Sequence, residues 1–276
     1  MIPAAKPLVG DEERAAVDRV LRSGMMAQGP EVAAFEEEFS KYVGGRKCVA
    51  VNSGTSGLHM ALVAAGIKAG DEVIVPSFTF AATANSVALT GATPVFVDID
   101  PKTFNIDPAA IEAAITPRTK AIQPVHLYGQ PAQMDKIVEI ACAHNLVVLE
   151  DAAQAHLATL NDKYVGSWGI AGTFSFYPTK NMTSGEGGMI SCATDEFARM
   201  CKLLRNQGME KRYENEVVGF NTRMTDIHAA IGREQLKKIE GWTKTRQANA
   251  KFLDENLKGV VIPYVIPGAK HVYHQY

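Results

Sequence analysis

Apolar residues fall in short, regularly spaced runs along this chain: Cys48–Val51, Glu72–Val75, Pro94–Val97, Lys120–Val125, Leu146–Leu149, Thr173–Tyr177 and Met189–Cys192. Runs such as Val73-Ile74-Val75 and Leu146-Val147-Val148-Leu149 are apolar at successive positions, as in strands covered by helices on both faces. Between most of them the apolar residues recur with helical spacing, over Thr55–Ala65, Thr79–Leu89, Pro108–Ile115, Met134–His144 and Asp195–Arg205. Two helices precede this alternation. One runs from Asp11 to about Ser23, with Asp11-Glu12-Glu13 in its first turn and Gly24 past its end. The second starts at Pro30 and sets Val32, Phe35, Phe39 and Tyr42 on one stripe before Gly44-Gly45. A long helical pattern from Met224 to Leu257, with an interruption expected around Gly241, leads to an alternating, strand-like ending at His271–Tyr276. Strand–helix alternation with short Gly/Pro/Asp-rich connections predicts an α/β fold built on a mostly parallel sheet.

Composition narrows the classes. With 46% hydrophobic and 21% charged residues in 276, the chain has ample material for a core and does not resemble a disordered polymer. A net charge of −2 argues against a dominant nucleic-acid surface. No apolar run is long enough to span a membrane, and Met1-Ile2-Pro3-Ala4-Ala5-Lys6 lacks the apolar stretch of a signal peptide, so a cytoplasmic protein is expected. Cys48, Cys142, Cys192 and Cys201 contain no C-x-x-C pair and read as reduced thiols rather than metal ligands. His271 and His274 would point to opposite faces of a strand, which makes a metal pair between them an unfavourable reading.

In open α/β sheets ligands sit beyond the carboxyl ends of strands, and there the unusual residues cluster. Asn52-Ser53-Gly54-Thr55-Ser56-Gly57 leads from a strand into a helix. Its small residues allow close backbone approach, and the helix start with its hydroxyls favours an anion such as phosphate, although a plain capped turn also fits. No Walker lysine follows, and no G-x-G-x-x-G occurs in the chain. Phe80 stands at a strand–helix junction where it could stack on a planar ligand or simply join the core. Glu150-Asp151 ends a buried strand, where a carboxylate needs a cation or strong donors, such as a protonated ring nitrogen. Lys180 ends another strand before a glycine-rich stretch, a setting that suits Schiff-base chemistry. Tyr177 and Lys180 are spaced Y-x-x-K, one residue short of the Y-x-x-x-K pair of sugar-nucleotide dehydratases and epimerases. His126 and His156 follow strand ends and could face the site; His156 is a candidate for substrate contact. A phosphate cradle, a stacking aromatic, a ring-nitrogen carboxylate and a lysine are together the parts that hold pyridoxal 5'-phosphate (PLP).

On these residues the sequence closely resembles the DegT/DnrJ/EryC1/StrS family of PLP-dependent sugar aminotransferases, of PLP fold type I. The resemblance runs in order through Gly29–Val32, Asn52–Gly57, Gly70–Pro76, Gly91–Asp98, Pro124–Gly129, Glu150–Gln154, Phe174–Lys180 and Gly219–Met224. It implies a PLP-binding large domain over residues 30–241. Residues 1–29 are expected to pack with a small domain that 242–276 begins and that is incomplete in this chain. It further implies Lys180 as the Schiff-base lysine, Asp151 as the partner of the pyridine nitrogen, and Gln154 on the ring. Gly54, Thr55, Ser56 and Ser175 match phosphate contacts, and Phe80 matches the stacking position. Asn221 matches a residue that reaches the phosphate across a dimer interface, which implies a homodimer with shared sites. Members with His at the position of Lys180 act as dehydratases, so the lysine favours transamination. The implied reaction moves an amino group from an amino acid, glutamate by resemblance, to a keto sugar that is nucleotide-linked. The competing readings are a sugar-nucleotide oxidoreductase or epimerase, which lacks its motifs here, and a non-catalytic PLP-binding relative with an incomplete C-terminal lobe.

Overall fold

The computed structural model describes residues 6–276; the first five residues, on which the signal-peptide reading falls, lie outside it. Helices α1 (Asp11–Ser23) and α2 (Pro30–Ser40) precede the alternating part of the chain. There follow β1 (Lys47–Val51), α3 (Gly54–Ala64), β2 (Glu72–Pro76), α4 (Ala82–Ala88), β3 (Thr93–Val97), α5 (Pro108–Ala113), β4 (Thr119–Ile122), α6 (Met134–Ala143) and β5 (Val147–Asp151). Short strands β6 (Thr159–Leu160) and β7 (Lys163–Tyr164) lead to β8 (Ala171–Ser175), β9 (Gly188–Cys192) and α7 (Asp195–Arg205). The long α8 (Asp226–Asn256) and the short β10 (Ala269–Lys270) complete the order.

Seven strands form the main sheet in the order β1-β9-β8-β5-β4-β2-β3. Every pairing is parallel except those of β9, which runs against both β1 and β8. The expected helix-covered, mostly parallel sheet is therefore present. Alternation along β1 shows how both faces are buried: Cys48 and Ala50 join a core with Phe35, Phe39 and Phe174, while Val49 and Val51 join one with Met60, Leu62 and Leu204. A third core, around Ile74, Ile122, Met134 and Ile137, fills the other half of the sheet. Among the described residues no helix is long and apolar enough to cross a membrane.

The elements depart from the pattern in four places. Where Lys120–Val125 reads as a strand, β4 stops at Ile122, two residues before Pro124, which has no N–H to donate. The strand expected at Thr173–Tyr177 lies two residues earlier, at Ala171–Ser175, where Ala171 already pairs with Leu149 of β5 and Cys192 of β9. Helix α8 runs through Gly241 unbroken. Packing of Leu236 and Ile239 before it and Trp242 after it against one core offsets the roughly 1 kcal/mol that a helical glycine costs. Finally, His271–Tyr276 forms no strand. Its backbone bonds instead to a loop, Val272 N–H to the Gly129 carbonyl at 3.0 Å and His274 N–H to the Tyr128 carbonyl at 2.8 Å.

Candidate active site

The register brings strand ends level at one edge of the sheet. Val51 of β1 and Ser175 of β8 both pair with Gly188 of β9, and Asp151 of β5 pairs with Thr173 of β8. A cavity of about 560 Å³ opens at this edge, and Gly54, Thr55, Phe80, Asp151, Gln154, Ser175 and Lys180 all line it. Seven of the residues singled out from the sequence are thus gathered in one place.

One wall is the start of α3. Ser53 caps the helix by accepting the Ser56 N–H at 3.1 Å, and its hydroxyl lies 3.0 Å from that of Ser56. Ser56 is consumed by this cap and does not line the cavity, whereas Gly54 and Thr55 do. A Cβ on Gly54 would stand 2.8 Å from the Cβ of Ser175, so only glycine lets the helix begin this close to β8. Free N–H groups of a first helical turn and neighbouring hydroxyls make a cradle suited to a phosphate.

The opposite wall carries a carboxylate and an amine. Asp151 is buried, accepts the Thr83 hydroxyl at 2.8 Å and accepts the Ala153 N–H at 3.2 Å. Burial pushes its pKa above the ordinary aspartate value, against the pull of Thr83, Ala153 and Lys180. Burial likewise pushes the Lys180 amine down, against the attraction of Asp151. A cavity that holds both groups away from their solution behaviour is prepared for proton transfer. Phe80 exposes 71% of its surface at the rim, which sets it apart from a core aromatic. Gln154 is fixed by the Tyr128 N–H, which donates to its Oε1 at 2.7 Å.

Three candidates lie elsewhere. His156 is buried with its ring 5.4 Å from Phe174 and 5.7 Å from Phe176, and neither ring nitrogen has a hydrogen-bond partner. Burial, and then the charges of Lys180 and His274, push it down to about 3, so it stays neutral. It does not line the cavity. Asn221 is exposed, bridges to Asn206 and also lies outside this cavity. His126 turns away to Glu150, donating from Nε2 at 3.1 Å while its Nδ1 accepts the Ala132 N–H at 3.0 Å.

Glu150 takes three further donors, the N–H groups of Gly166, Trp168 and Gly169 at 2.6, 2.7 and 2.9 Å. Burial alone would raise its pKa, but His126 and these N–H groups outweigh it and hold the carboxyl's pKa below its ordinary value. The adjacent pair Glu150-Asp151 therefore splits, as successive strand residues must, one to each side of the sheet.

Three participants were not foreseen. Thr83 lies one turn after Thr79 with its hydroxyl 2.8 Å away, and this i,i+4 hydroxyl pair after β2 was a readable signal. His274 and Gln275 reach the cavity from the far end of the chain. His274 Nδ1 sits 3.0 Å from Asn181 Oδ1, and burial, with Lys180 and Arg246 nearby, pushes it down to about 3. Strand-like patterning gave no hint of that placement. Among the described residues no group of three or more His, Cys, Asp or Glu could hold a metal ion.

Comparison with known proteins agrees with this architecture. The GDP-perosamine synthase of Caulobacter vibrioides is 47% identical over 99% of this chain and 75% of its own length. The UDP-N-acetyl-3-dehydro-alpha-D-glucosamine 3-aminotransferase of Acidithiobacillus ferrooxidans is 43% identical over 96% of this chain and 73% of its own. Among solved structures, S. venezuelae DesV in complex with a ketimine intermediate superposes with a TM-score of 0.92. That alignment is at 42% identity and covers 96% of this chain and 72% of DesV. The profile of the DegT/DnrJ/EryC1/StrS aminotransferase family matches residues 7–276, and the chain belongs to that family of enzymes.

Proposed function

We propose that this protein is a PLP-dependent aminotransferase that moves an amino group from an amino acid, glutamate being the expected donor, to a nucleotide-linked keto sugar. The observation that carries the reading is the cavity in which Lys180 and the buried Asp151 face an anion cradle at the start of α3. The residues fit the cofactor. Gly54 and Thr55, with the hydroxyl of Ser175, suit its phosphate, and the Gly54 position tolerates no side chain. Asp151 is a desolvated carboxylate with two protein donors among the described residues, a set that a protonated ring nitrogen would complete. Phe80 offers a ring face at the rim, and Gln154 presents its fixed amide. When bound, the cofactor supplies an electrophilic carbon for imine formation and an electron-withdrawing ring.

The chain's own residues account for the proton traffic. Burial favours the neutral form of Lys180, so its Nζ serves first as nucleophile and then as base for the α-proton of the donor. Asp151, fixed by Thr83 and Ala153, keeps its ring partner protonated. Ser56 supports the cradle through the Ser53 cap rather than by direct contact. Asn221, exposed and away from its own cavity, is assigned to the site of a second copy in a homodimer. Names of the relatives support the nucleotide-linked acceptor.

The test is reductive trapping followed by peptide mapping. Borohydride treatment of PLP-loaded protein is expected to fix the cofactor on Lys180, and Lys180→Ala should carry no label. A label retained elsewhere in Lys180→Ala refutes the assignment. Glutamate with a panel of nucleotide-linked 3-keto and 4-keto sugars should then yield an amino sugar detectable by mass spectrometry.

A further inference from the structure

Lys180 and His274 line the catalytic cavity together, and both also line a neighbouring cavity of about 440 Å³, so they stand where the two spaces adjoin. The histidine is rigidly carried. Its backbone N–H is bound by the Tyr128 carbonyl at 2.8 Å, and Arg246 of α8 donates to the carbonyls of Tyr273 and His274 at 3.1 and 3.3 Å. Gly129 has φ 99°, and a Cβ there would stand 2.9 Å from the His274 backbone nitrogen, so the turn that seats this segment calls for glycine.

Asn181, the residue after Lys180, fixes which ring nitrogen of His274 carries the proton. Its Nδ2 donates to the Val272 carbonyl at 3.3 Å, and a carbonyl only accepts, so the amide has one orientation. Oδ1 is thereby turned to His274 Nδ1 at 3.0 Å, and because an amide oxygen only accepts, Nδ1 bears the hydrogen. Burial, then the charges of Lys180 and Arg246, keep the ring neutral, which leaves Nε2 a bare lone pair. Among the described residues Nε2 has no hydrogen-bond donor, and it is not enclosed. The Lys180 amine is its complement, a donor without a hydrogen-bond acceptor among the described residues. Of the other titratable or charged groups, Asp151, Tyr177 and Glu186 line the catalytic cavity, Lys6 and Arg246 line its neighbour, and neutral His156 feels both members of the pair.

We propose that His274 is a positioning residue for the catalytic lysine: locked by Asn181 as the Nδ1–H tautomer, it offers Nε2 as hydrogen-bond acceptor to Lys180 Nζ whenever that amine is free of the cofactor. The lysine's flexible four-carbon stem lets Nζ swing to it. Once Nζ has taken the donor's α-proton it is an ammonium, and a charged donor gains roughly twice as much from an acceptor as a neutral one. The contact therefore steadies the lysine most while it holds the proton, and a neutral ring does so without adding a second positive charge. Asp151 is already engaged by Thr83 and Ala153 and is assigned to the ring nitrogen of the cofactor, which leaves this part to His274. The proposal rests on the aminotransferase reading above.

Cofactor-free protein gives the deciding readouts. Nitrogen-15 NMR of histidine-labelled protein, with the His274 signals assigned by their loss in His274→Asn, should show Nδ1 protonated and Nε2 bare at neutral pH. The pH profile of Lys180 acylation, read by peptide mass spectrometry, gives the midpoint at which the amine becomes free. His274→Asn keeps a donor for Asn181 but has no acceptor at the Nε2 position, so that midpoint should move about one pH unit lower. His274→Gln, whose amide oxygen reaches the Nε2 position, should bring it back most of the way. In PLP-loaded protein the glutamate half-reaction, followed by the absorbance of the bound cofactor, should slow about tenfold in His274→Asn and show a larger isotope effect with α-deuterated glutamate. Circular dichroism and gel filtration of the variants confirm folding. A proton on Nε2 overturns the proposal, as does an unmoved Lys180 midpoint in folded His274→Asn or a His274→Gln variant no better than His274→Asn. Absence of the half-reaction in the wild-type protein refutes the underlying function, while the cofactor-free measurements still decide the contact between His274 and Lys180.

Discussion

Thr83→Val isolates the contact that holds the key carboxylate. Thr83 is fully buried and donates at 2.8 Å to Asp151, itself 4% exposed. Valine preserves the shape and removes only the hydroxyl. A hydrogen bond to a charged group is worth about 1.5–3 kcal/mol, while the added methyl returns up to about 0.8 kcal/mol of apolar burial. The expected loss for cofactor-free protein at neutral pH is therefore about 1–2 kcal/mol, read from urea unfolding. Thr79 loses a partner as well, but its surface is half-buried and water replaces the bond. A cycle with Asp151→Asn separates the charge from the rest, with a coupling of about 1 kcal/mol expected.

The pH dependence supplies a second check. Burial raises the folded-state value of Asp151 above its ordinary 3.8. The stability linked to its proton is complete below 3.8 and is lost as pH rises through the folded value. Thr83 stabilises the charged form, so the penalty of Thr83→Val should be largest at neutral pH and shrink in acid. A penalty that does not vary with pH, or a cycle additive within about 0.5 kcal/mol, refutes the idea that Thr83 serves a charged Asp151.

Other expectations are direct. Gly54→Ala drives a methyl to 2.8 Å from Ser175 Cβ and should cost about 1–3 kcal/mol in chemical unfolding while weakening binding of inorganic phosphate to the cofactor-free protein. Glu150→Gln disturbs a carboxylate that accepts His126 and three backbone N–H groups, and should cost about 3 kcal/mol or more at neutral pH. Because that carboxyl is held below its ordinary 4.5, its contribution is present above that value and fades as pH falls through the lowered one. The gap between wild type and Glu150→Gln, measured by urea midpoints, should close in acid. His156→Phe removes two unpartnered buried nitrogens and should be neutral or stabilising by thermal melting, with glutamate turnover retained. A large loss of turnover in a stable His156→Phe protein would restore His156 as a substrate contact.

Much of the fold was legible because the buried strands are apolar on both faces and the helices carry strong boundaries. Asp195–Arg205 begins with an Asp-Glu pair behind Thr194, whose side chain caps the Phe197 N–H, and the structure has the expected limits. The cavity residues Gly54, Asp151 and Lys180 were legible because each ends a strand or lies in the short stretch that follows one. What escaped depends on tertiary neighbours. Ser56 and Thr55 look alike in sequence, and only the Ser53 cap turns one inward to the helix and leaves the other at the cavity. His274 follows an alternating pattern, yet its backbone is claimed by the strained Tyr128-Gly129 turn, with Gly129 at φ 99°. No local spacing could report a partner nearly 150 residues away. Gly241 shows the converse error, a strong local signal overridden by packing on both sides.

The place of β9 between β1 and β8 has a consequence for how the molecule is made. β9 lies between β1, which leads into Gly54, and β8, which carries Ser175, and Gln275 comes later still along the chain. Contacts this distant bear their loop-closure entropy before any of them stabilises the others, so the edge is completed late in folding. A ligand held there binds the finished fold and nothing earlier, adding about 2.7 kcal/mol at a hundredfold excess over its dissociation constant. Supply of that ligand is then expected to lengthen the chain's survival in a proteolysis assay, quite apart from how fast it turns over.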